Sequence, residues 1–240
     1  MIAIRALTFH HIGSTDDFYG TSVADYHRLR KICTAAKLRI AGLRAFETLS
    51  NNSKQIPSQQ KNRDVEHCIV VTYDDAYENI FDPVLQLPPA CGVLFPIADY
   101  VGKYNDWNRR APRRMRHLSW SQLGDLVKAG FDIGSHTCAH WNLERLSDKE
   151  VGDELRRSQE ILQDRLGVSV KCIAYPYGEA SSRIRFIAAR YYEWGFLSSV
   201  RNHAALKKSP MDRLAIPRRS ISTSILTKMQ DSVLLAQLRS

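Results

Sequence analysis

Residues 67–77 read HCIVVTYDDAY, where a short apolar run of strand type ends in two adjacent aspartates. Similar apolar runs recur along the chain, and segments with helical period lie between them. The predicted strands are Ile2–Phe9, Leu38–Ala41, Cys68–Tyr73, Gly92–Phe95, Phe131–Gly134, Val170–Tyr175, Phe196–Val200 and Leu214–Ile216. Strands that alternate with helices are typical of βαβ units and a parallel sheet. We therefore expect an α/β fold.

The predicted helices have recognisable ends. Ser22 is placed to cap the first helix, and Ser147 with Glu150 predicts a capping box. Three glycines mark expected helix ends: Gly130, Gly167 and Gly195. The chain has 240 residues, of which 44% are hydrophobic, so it is long enough to bury one large core. We expect a single catalytic domain over residues 1–240.

The charge balance is basic, with 34 Lys and Arg against 25 Asp and Glu, a formal net charge of +9. Nucleic acid, an anionic membrane surface and an anionic substrate all suit such a charge, but no nucleic-acid-binding module is recognisable. Six of the basic residues lie between Lys103 and His117. That loop either contacts an anionic glycan, a lipid-linked sugar phosphate or a membrane headgroup, or is a solvated surface loop. Trp107 within it can stack on a sugar face.

The sequence contains no run of roughly 18 apolar residues, the length that spans a bilayer. Its start, MIAIRALTFHH, has neither a long apolar segment nor a small-residue cleavage site. The five cysteines form no CxxC pair, and an odd number cannot all pair within one chain. We expect a soluble cytoplasmic protein in a reducing compartment.

Residues with reactive side chains follow several predicted strands directly. They are His10 and His11, Asp74 and Asp75, His136, and Tyr177. In a parallel barrel the carboxyl ends of the strands share one face, so residues that are distant in sequence converge there. The pattern predicts one site.

The HxxxH spacing of His136 and His140 allows both imidazoles to reach one ion. With a carboxylate from another strand end they form a 2-His-1-carboxylate set, which leaves coordination positions open for water and substrate. Alternatively, the two histidines are ordinary polar residues near a helix start, and the aspartates form a turn. Cys138, between the histidines, is a further candidate ligand.

Three motifs resemble those of the NodB-homology polysaccharide deacetylases, also called carbohydrate esterase family 4. TYDDAY resembles the family's TFDDG motif, HTCAH its H[ST]xxH motif, and AYPYG its RxPYG motif. The resemblance extends from Ala6 to about Arg219 and keeps the family's order and spacing. It implies a distorted (β/α) barrel of seven to eight strands and an N-acetylated carbohydrate substrate.

The resemblance also implies residue roles. Asp74 matches the general base, and Tyr177 matches the residue that offers its backbone N–H to the oxyanion. The implied metal ligands are Asp75, His136 and His140. They would hold one divalent ion, for which we expect zinc.

The identity of the acid is left open between two histidines. The opening Phe-His-His-Ile, residues 9–12, resembles a subgroup in which the acid histidine lies on the first strand, which points to His10 as proton donor. His203 is the competing donor, and the alternative interpretation is that His10 and His11 only cap a strand.

The chain departs from the family pattern at three points. Ala174 replaces the motif-three arginine that orients the catalytic aspartate, and Arg218 is a candidate for that support. Ala76 replaces the glycine after the two aspartates, and the usual C-terminal histidine motif is not evident. The expected activity is metal-dependent removal of N-acetyl groups. The alternatives are a metal amidase on a small or cyclic amide and a carbohydrate-binding barrel without activity.

Overall fold

A computed structural model of the protein describes residues 5–13, 19–43, 68–86, 91–107, 113–198, 213–228 and 230–239. The strands are β1 Arg5–Phe9, β2 His11–Ile12, β3 Gly20–Thr21, β4 Arg39–Ala41, β5 Cys68–Asp75, β6 Val93–Pro96, β7 Asp132–Ile133, β8 Cys172–Ala174, β9 Trp194–Leu197 and β10 Ile216–Ser220. The helices are α1 Val23–Ala35, α2 Phe81–Leu85, α3 Trp120–Lys128, α4 Asp148–Leu166, α5 Ser182–Ala188, α6 Thr223–Leu226 and α7 Asp231–Arg239. Within these residues, no helix combines the length and apolarity that crossing a membrane requires.

The main sheet has eight strands, and every pairing in it is parallel. Its order is β7-β6-β5-β1-β10-β9-β8, and β4 pairs with the first residues of β5. Ser135, just after β7, joins the two ends of this order, because its N–H donates to the Cys172 carbonyl and its own carbonyl accepts from the Ala174 N–H. The sheet is thereby nearly closed into a barrel. The expected distorted α/β barrel of seven to eight strands is confirmed.

The barrel interior is filled by alternate residues of the strands. One buried cluster consists of Ala6, Leu43, Val70, Val93, Phe95, Cys172, Ala174, Trp194, Phe196 and Ile216. Their strand neighbours, such as Leu7, Val71 and Ile173, belong instead to the larger cluster that packs against the helices. Because side chains alternate along a strand, the inward set continues from Val70 to Asp74 and from Ile216 to Arg218. The sequence pattern thus places polar groups in the part of the barrel interior that lies at the carboxyl ends of the strands.

The helix caps follow the sequence closely, with one exception. The Ser22 side chain accepts from the Asp25 N–H, and Ser147 forms the expected capping box with Glu150. Gly167 ends α4 in the left-handed conformation, and Gly130 follows α3. The expectation for Gly195 is wrong: this residue lies inside β9, where a Cβ atom would come within 2.9 Å of the Tyr175 ring.

The final strand of the barrel starts later than expected. The predicted strand Leu214–Ile216 is corrected to β10, Ile216–Ser220. The strand continues into the basic pair Arg218-Arg219, and an apolar pattern in the sequence does not extend over these residues. In the structure Arg218 is buried and Arg219 exposed, as alternation along a strand requires.

We predict that Gly134→Ala destabilises the fold by about 1–3 kcal/mol, because overpacking a filled core forces neighbours apart. An added Cβ at Gly134 would overlap the Phe95 ring and lie 2.7 Å from Cys172 Sγ. Urea denaturation measures the change. The matched control is Gly124→Ala within α3, where nothing lies within 4 Å of the new atom. That substitution should gain up to about 1 kcal/mol from helix propensity, and equal effects at both positions would contradict the packing argument.

Candidate metal and catalytic site

The three expected metal ligands meet at the carboxyl ends of the strands. His136 Nε2 and His140 Nε2 lie 3.5 Å and 3.7 Å from Asp75 Oδ1, and the three ligand atoms are all within 4.8 Å of one another. All three residues are buried. Ligands bonded to a tetrahedral ion at about 2.0–2.2 Å are themselves about 3.4 Å apart, so this spacing suits one ion.

Asp75 provides a direct test of whether these residues fit a cation. Its Oδ1 atom is buried and has no hydrogen-bond partner in the described chain. Burial, together with the charge of Asp74, raises the pKa of Asp75 to about 8. Burial also lowers the pKa of His136, and lowers that of His140 well below its usual value. A carboxyl oxygen without a partner beside two neutral imidazoles is the electrostatic pattern of a site for a divalent cation.

The segment between the two histidines is held from its backbone. Glu154 on α4 accepts hydrogen bonds from the N–H groups of Cys138 and Ala139, at 3.0 Å and 3.1 Å. The His136 Nδ1–H group donates to the Ala174 carbonyl at 2.7 Å, which leaves Nε2 with its lone pair toward the ligand cluster. Cys138 is fully buried and is not part of that cluster, and burial raises its pKa to about 12. It packs as a small hydrophobic residue.

Backbone strain is concentrated around this cluster. In the described part of the chain, six non-glycine residues have positive φ, and only Lys37 lies elsewhere. The other five are Asp75, Ala76, Thr137, His140 and Tyr177. Each such residue costs roughly 1–2 kcal/mol relative to an ordinary conformation. Ala76 has φ 53°, so the turn that glycine usually makes in the family motif is kept here by alanine.

Asp74 points into the barrel and is held by Arg218. Arg218 Nη1 donates to Asp74 Oδ1 at 2.6 Å and Nη2 donates to Oδ2 at 2.7 Å, while the guanidinium also bonds Thr72 Oγ1 and Ser198 Oγ. Burial alone would raise the pKa of Asp74, but the Arg218 charge brings it down to about 2. The guanidinium lies over the rings of Phe95 and Phe196, at 5.5 Å and 5.7 Å. The support expected from Arg218 is therefore present.

The candidate acid His10 lies beside Asp74. β1 and β5 pair in register from Arg5 with Ile69 to Phe9 with Tyr73, so the next residues, His10 and Asp74, are neighbours at the strand ends. Burial lowers the pKa of His10 to about 4, although the Asp74 charge raises it. His11 is buried against Tyr77 on the other side of the strand end. His203 lies outside the described residues.

The Tyr177 ring lies against the ring of His140. The two rings meet edge-on at 4.9 Å, and Tyr177 is 60% exposed. The residue has φ 62° within the turn Pro176–Gly178.

The profile of the family described as polysaccharide deacetylase matches residues 61–192, more than half of the chain. The chain belongs to the polysaccharide deacetylase family. It is 24% identical over 136 residues to the Bacillus subtilis protein YxkH, which carries the name of a polysaccharide deacetylase. That match covers 55% of this chain and 45% of YxkH, so the chain spans less than half the length of this curated relative.

Two solved structures show the same fold over nearly their whole length. IcaB from Ammonifex degensii has a TM-score of 0.75 at 17% identity, with 100% of this chain and 98% of that chain covered. The Streptococcus pyogenes deacetylase PplD in complex with acetate has a TM-score of 0.70 at 19% identity, with 98% and 97% covered. At this identity the likeness establishes the NodB-like barrel and nothing further about substrate.

Sequence reasoning missed one buried residue beside the candidate site. His117 Nδ1 bonds the backbone carbonyl of Asp75 at 2.8 Å, and the Trp107 Nε1–H donates to His117 Nε2 at 3.3 Å. Both lie on the loop from Lys103 to His117, whose described parts form a hairpin with a bridge between Tyr104 and Arg116. The basic residues dominate the sequence pattern of that loop, and the histidine at its end does not stand out among them. A lone histidine before a helix cap gives no signal in sequence.

We predict that Arg218→Met lowers the free energy of unfolding at pH 7 by about 3–5 kcal/mol, because it leaves a buried carboxylate without its partner. Adding Asp74→Asn should restore part of the loss, and urea denaturation of both variants measures it. The folded pKa of Asp74, about 2, lies below the ordinary 3.8. The stabilisation by the pair is therefore complete above about pH 4 and lost as pH falls toward 2. A loss below 1 kcal/mol in the single variant would count against the pair.

We predict that zinc uptake at pH 7 releases about one proton, and that the source is Asp75. With a pKa of about 8 the metal-free carboxyl is mostly protonated at pH 7, whereas both histidines are already neutral. Titration calorimetry in buffers of different ionisation enthalpy measures the release. It should decline as pH rises from 7 to 9, and a release that grows over that range would assign the proton to another group.

Proposed function

We propose that this chain is a metal-dependent hydrolase that removes N-acetyl groups from an N-acetylated sugar, polysaccharide or lipid-linked glycan precursor and releases acetate. The observation that carries the proposal is the pair of adjacent aspartates in two opposite electrostatic states. Asp74 is kept ionised by Arg218, while the Oδ1 atom of Asp75 has no hydrogen-bond partner in the described chain and faces His136 and His140. The family membership and the acetate bound to PplD agree with this chemistry.

Asp75, His136 and His140 would hold the ion, which we propose to be zinc. Three protein ligands leave at least one coordination position open, as catalytic sites require. A divalent ion in that place polarises an amide carbonyl and makes water a better nucleophile at neutral pH. The buried setting strengthens these electrostatic effects, because little water competes within it.

Asp74 is the proposed proton acceptor. Its carboxylate remains ionised at neutral pH, so it can take a proton from the attacking water. The backbone N–H of Tyr177 is the proposed donor to the oxygen that gains negative charge at the amide carbon. His10, next to Asp74, is the proposed donor to the departing amine; burial lowers its pKa to about 4, and the Asp74 charge acts in the opposite direction by favouring its protonated form.

Two alternative functions keep specific support. A metal amidase for small or cyclic amides would need the same site, and substrate shape alone separates it from a deacetylase. A carbohydrate-binding barrel without activity was favoured by the missing motif-three arginine. The Arg218 contact weakens that alternative, because the catalytic aspartate keeps a guanidinium partner from another strand. The predicted cytoplasmic location, the single domain over residues 1–240 and the contact of the Lys103–His117 loop with a membrane or anionic glycan stay predictions.

We predict that the zinc-loaded protein releases acetate from N-acetylglucosamine oligomers and that Asp74→Asn lowers kcat by about 10²–10⁴-fold, the usual contribution of a general base. Acetate assays and zinc analysis measure the two effects. Asp74→Asn should retain zinc, and Asp75→Asn should lose it.

The same preparations are tested on small cyclic amides. Turnover of the cyclic amides without acetate release would establish the amidase. A zinc-loaded protein that binds N-acetylated glycans and releases no acetate from any of them would contradict the proposed activity and favour the binding barrel.

A further inference from the structure

The two histidines of the metal site are supported in different ways. His136 donates its Nδ1–H to the Ala174 carbonyl. The Nδ1 atom of His140 is buried and receives no such hydrogen bond from another residue of the described chain. Metal-binding histidines are normally oriented by a hydrogen bond at the second ring nitrogen. The orientation of the His140 ring must therefore depend on other contacts with its surroundings.

Aromatic rings surround His140 instead. The Trp107 ring lies 4.1 Å from it, centre to centre, with the two planes 34° apart. Tyr177 and His136 meet the same ring edge-on, at 4.9 Å and 4.8 Å. A ring covered on its face and contacted at two edges cannot rotate about χ2 without displacing Trp107, so packing supplies the orientation that a hydrogen bond supplies at His136.

Trp107 is in turn fixed to another ligand of the site. Its Nε1–H donates to His117 Nε2, and His117 Nδ1 bonds the Asp75 carbonyl oxygen. Because a carbonyl oxygen only accepts, the proton of His117 is on Nδ1, and its Nε2 is free to accept from the indole. His117 also stacks on Tyr77 at 4.7 Å. The contacts run without a gap from the backbone of Asp75 to the ring of His140.

We propose that Trp107 and His117 are positioning residues that orient His140 toward the metal and couple its ring to the backbone of Asp75. The inference rests on the proposed metal site. Neither residue has to touch the substrate for this role. Removing the outer partner of a metal ligand typically lowers metal affinity by about 10–100-fold, and we expect a loss of that size here.

The test compares zinc affinity and the absorption spectrum of the cobalt-substituted protein in three variants. Trp107→Ala removes the ring and should lower zinc affinity by about 10–100-fold and alter the cobalt bands. Trp107→Phe keeps a ring but loses the N–H donor, so its affinity should fall between those of Trp107→Ala and the wild type. Trp141→Ala is the matched control, because Trp141 is next to His140 in sequence but 59% exposed. Its zinc affinity and cobalt spectrum should be those of the wild type.

Wild-type zinc affinity and an unchanged cobalt spectrum in Trp107→Ala would overturn the inference, whatever happens to acetate release. An equal loss of affinity in Trp141→Ala would also overturn it. Trp107→Phe keeps the test valid if Trp107→Ala does not fold. Both readouts need no substrate, so a wild-type protein that binds zinc tightly but releases no acetate refutes the proposed function and leaves this inference standing.

Discussion

Arg218 and Asp74 face each other inside the barrel with both side chains almost completely removed from water, and burying two charges costs several kcal/mol per ion unless they are paired. The pair meets this condition with two parallel hydrogen bonds and two further hydroxyl acceptors for the guanidinium. The pKa of the neighbouring Asp75 is shifted in the opposite direction to that of Asp74. Burial and the ionised Asp74 raise the pKa of Asp75 to about 8, so a bound cation would favour the carboxylate form of the second aspartate. Two adjacent aspartates thereby have pKa values shifted in opposite directions.

The backbone around the site is strained because side chains must point inward from chain segments that have just left a strand. Asp75 and His140 reach the ion site from left-handed conformations, at φ 60° and 57°. Hydrogen bonds around them, such as those from the loop N–H groups to Glu154, hold these conformations in place. Strain that persists in a folded protein is supported by its surroundings, and here the support comes from α4 and from the ends of the strands.

Much of this arrangement could be predicted from the sequence, because apolar runs locate the strands and polar residues at their ends locate the site. Asp75, His136 and His140 meet as their positions after two strands predicted. The sequence could not show that β10 continues through Arg218, because residue type alone does not distinguish a buried arginine from an exposed one. It also could not show His117, whose contacts with Asp75 and Trp107 depend on how a loop folds back. Backbone contacts such as that of His136 with the Ala174 carbonyl leave no trace in residue type.

The position of Ala174 has a consequence for how this chain can diverge from its relatives. Ala174 is fully buried in the barrel interior, in the same cluster as Phe95 and Phe196, whose rings carry the Arg218 guanidinium. An arginine on β8, as in the family motif, would compete with Arg218 for this space and for a single carboxylate. The two placements of the arginine therefore exclude each other. A second arginine at position 174 would place two guanidinium groups around a single carboxylate and leave one positive charge buried without a partner.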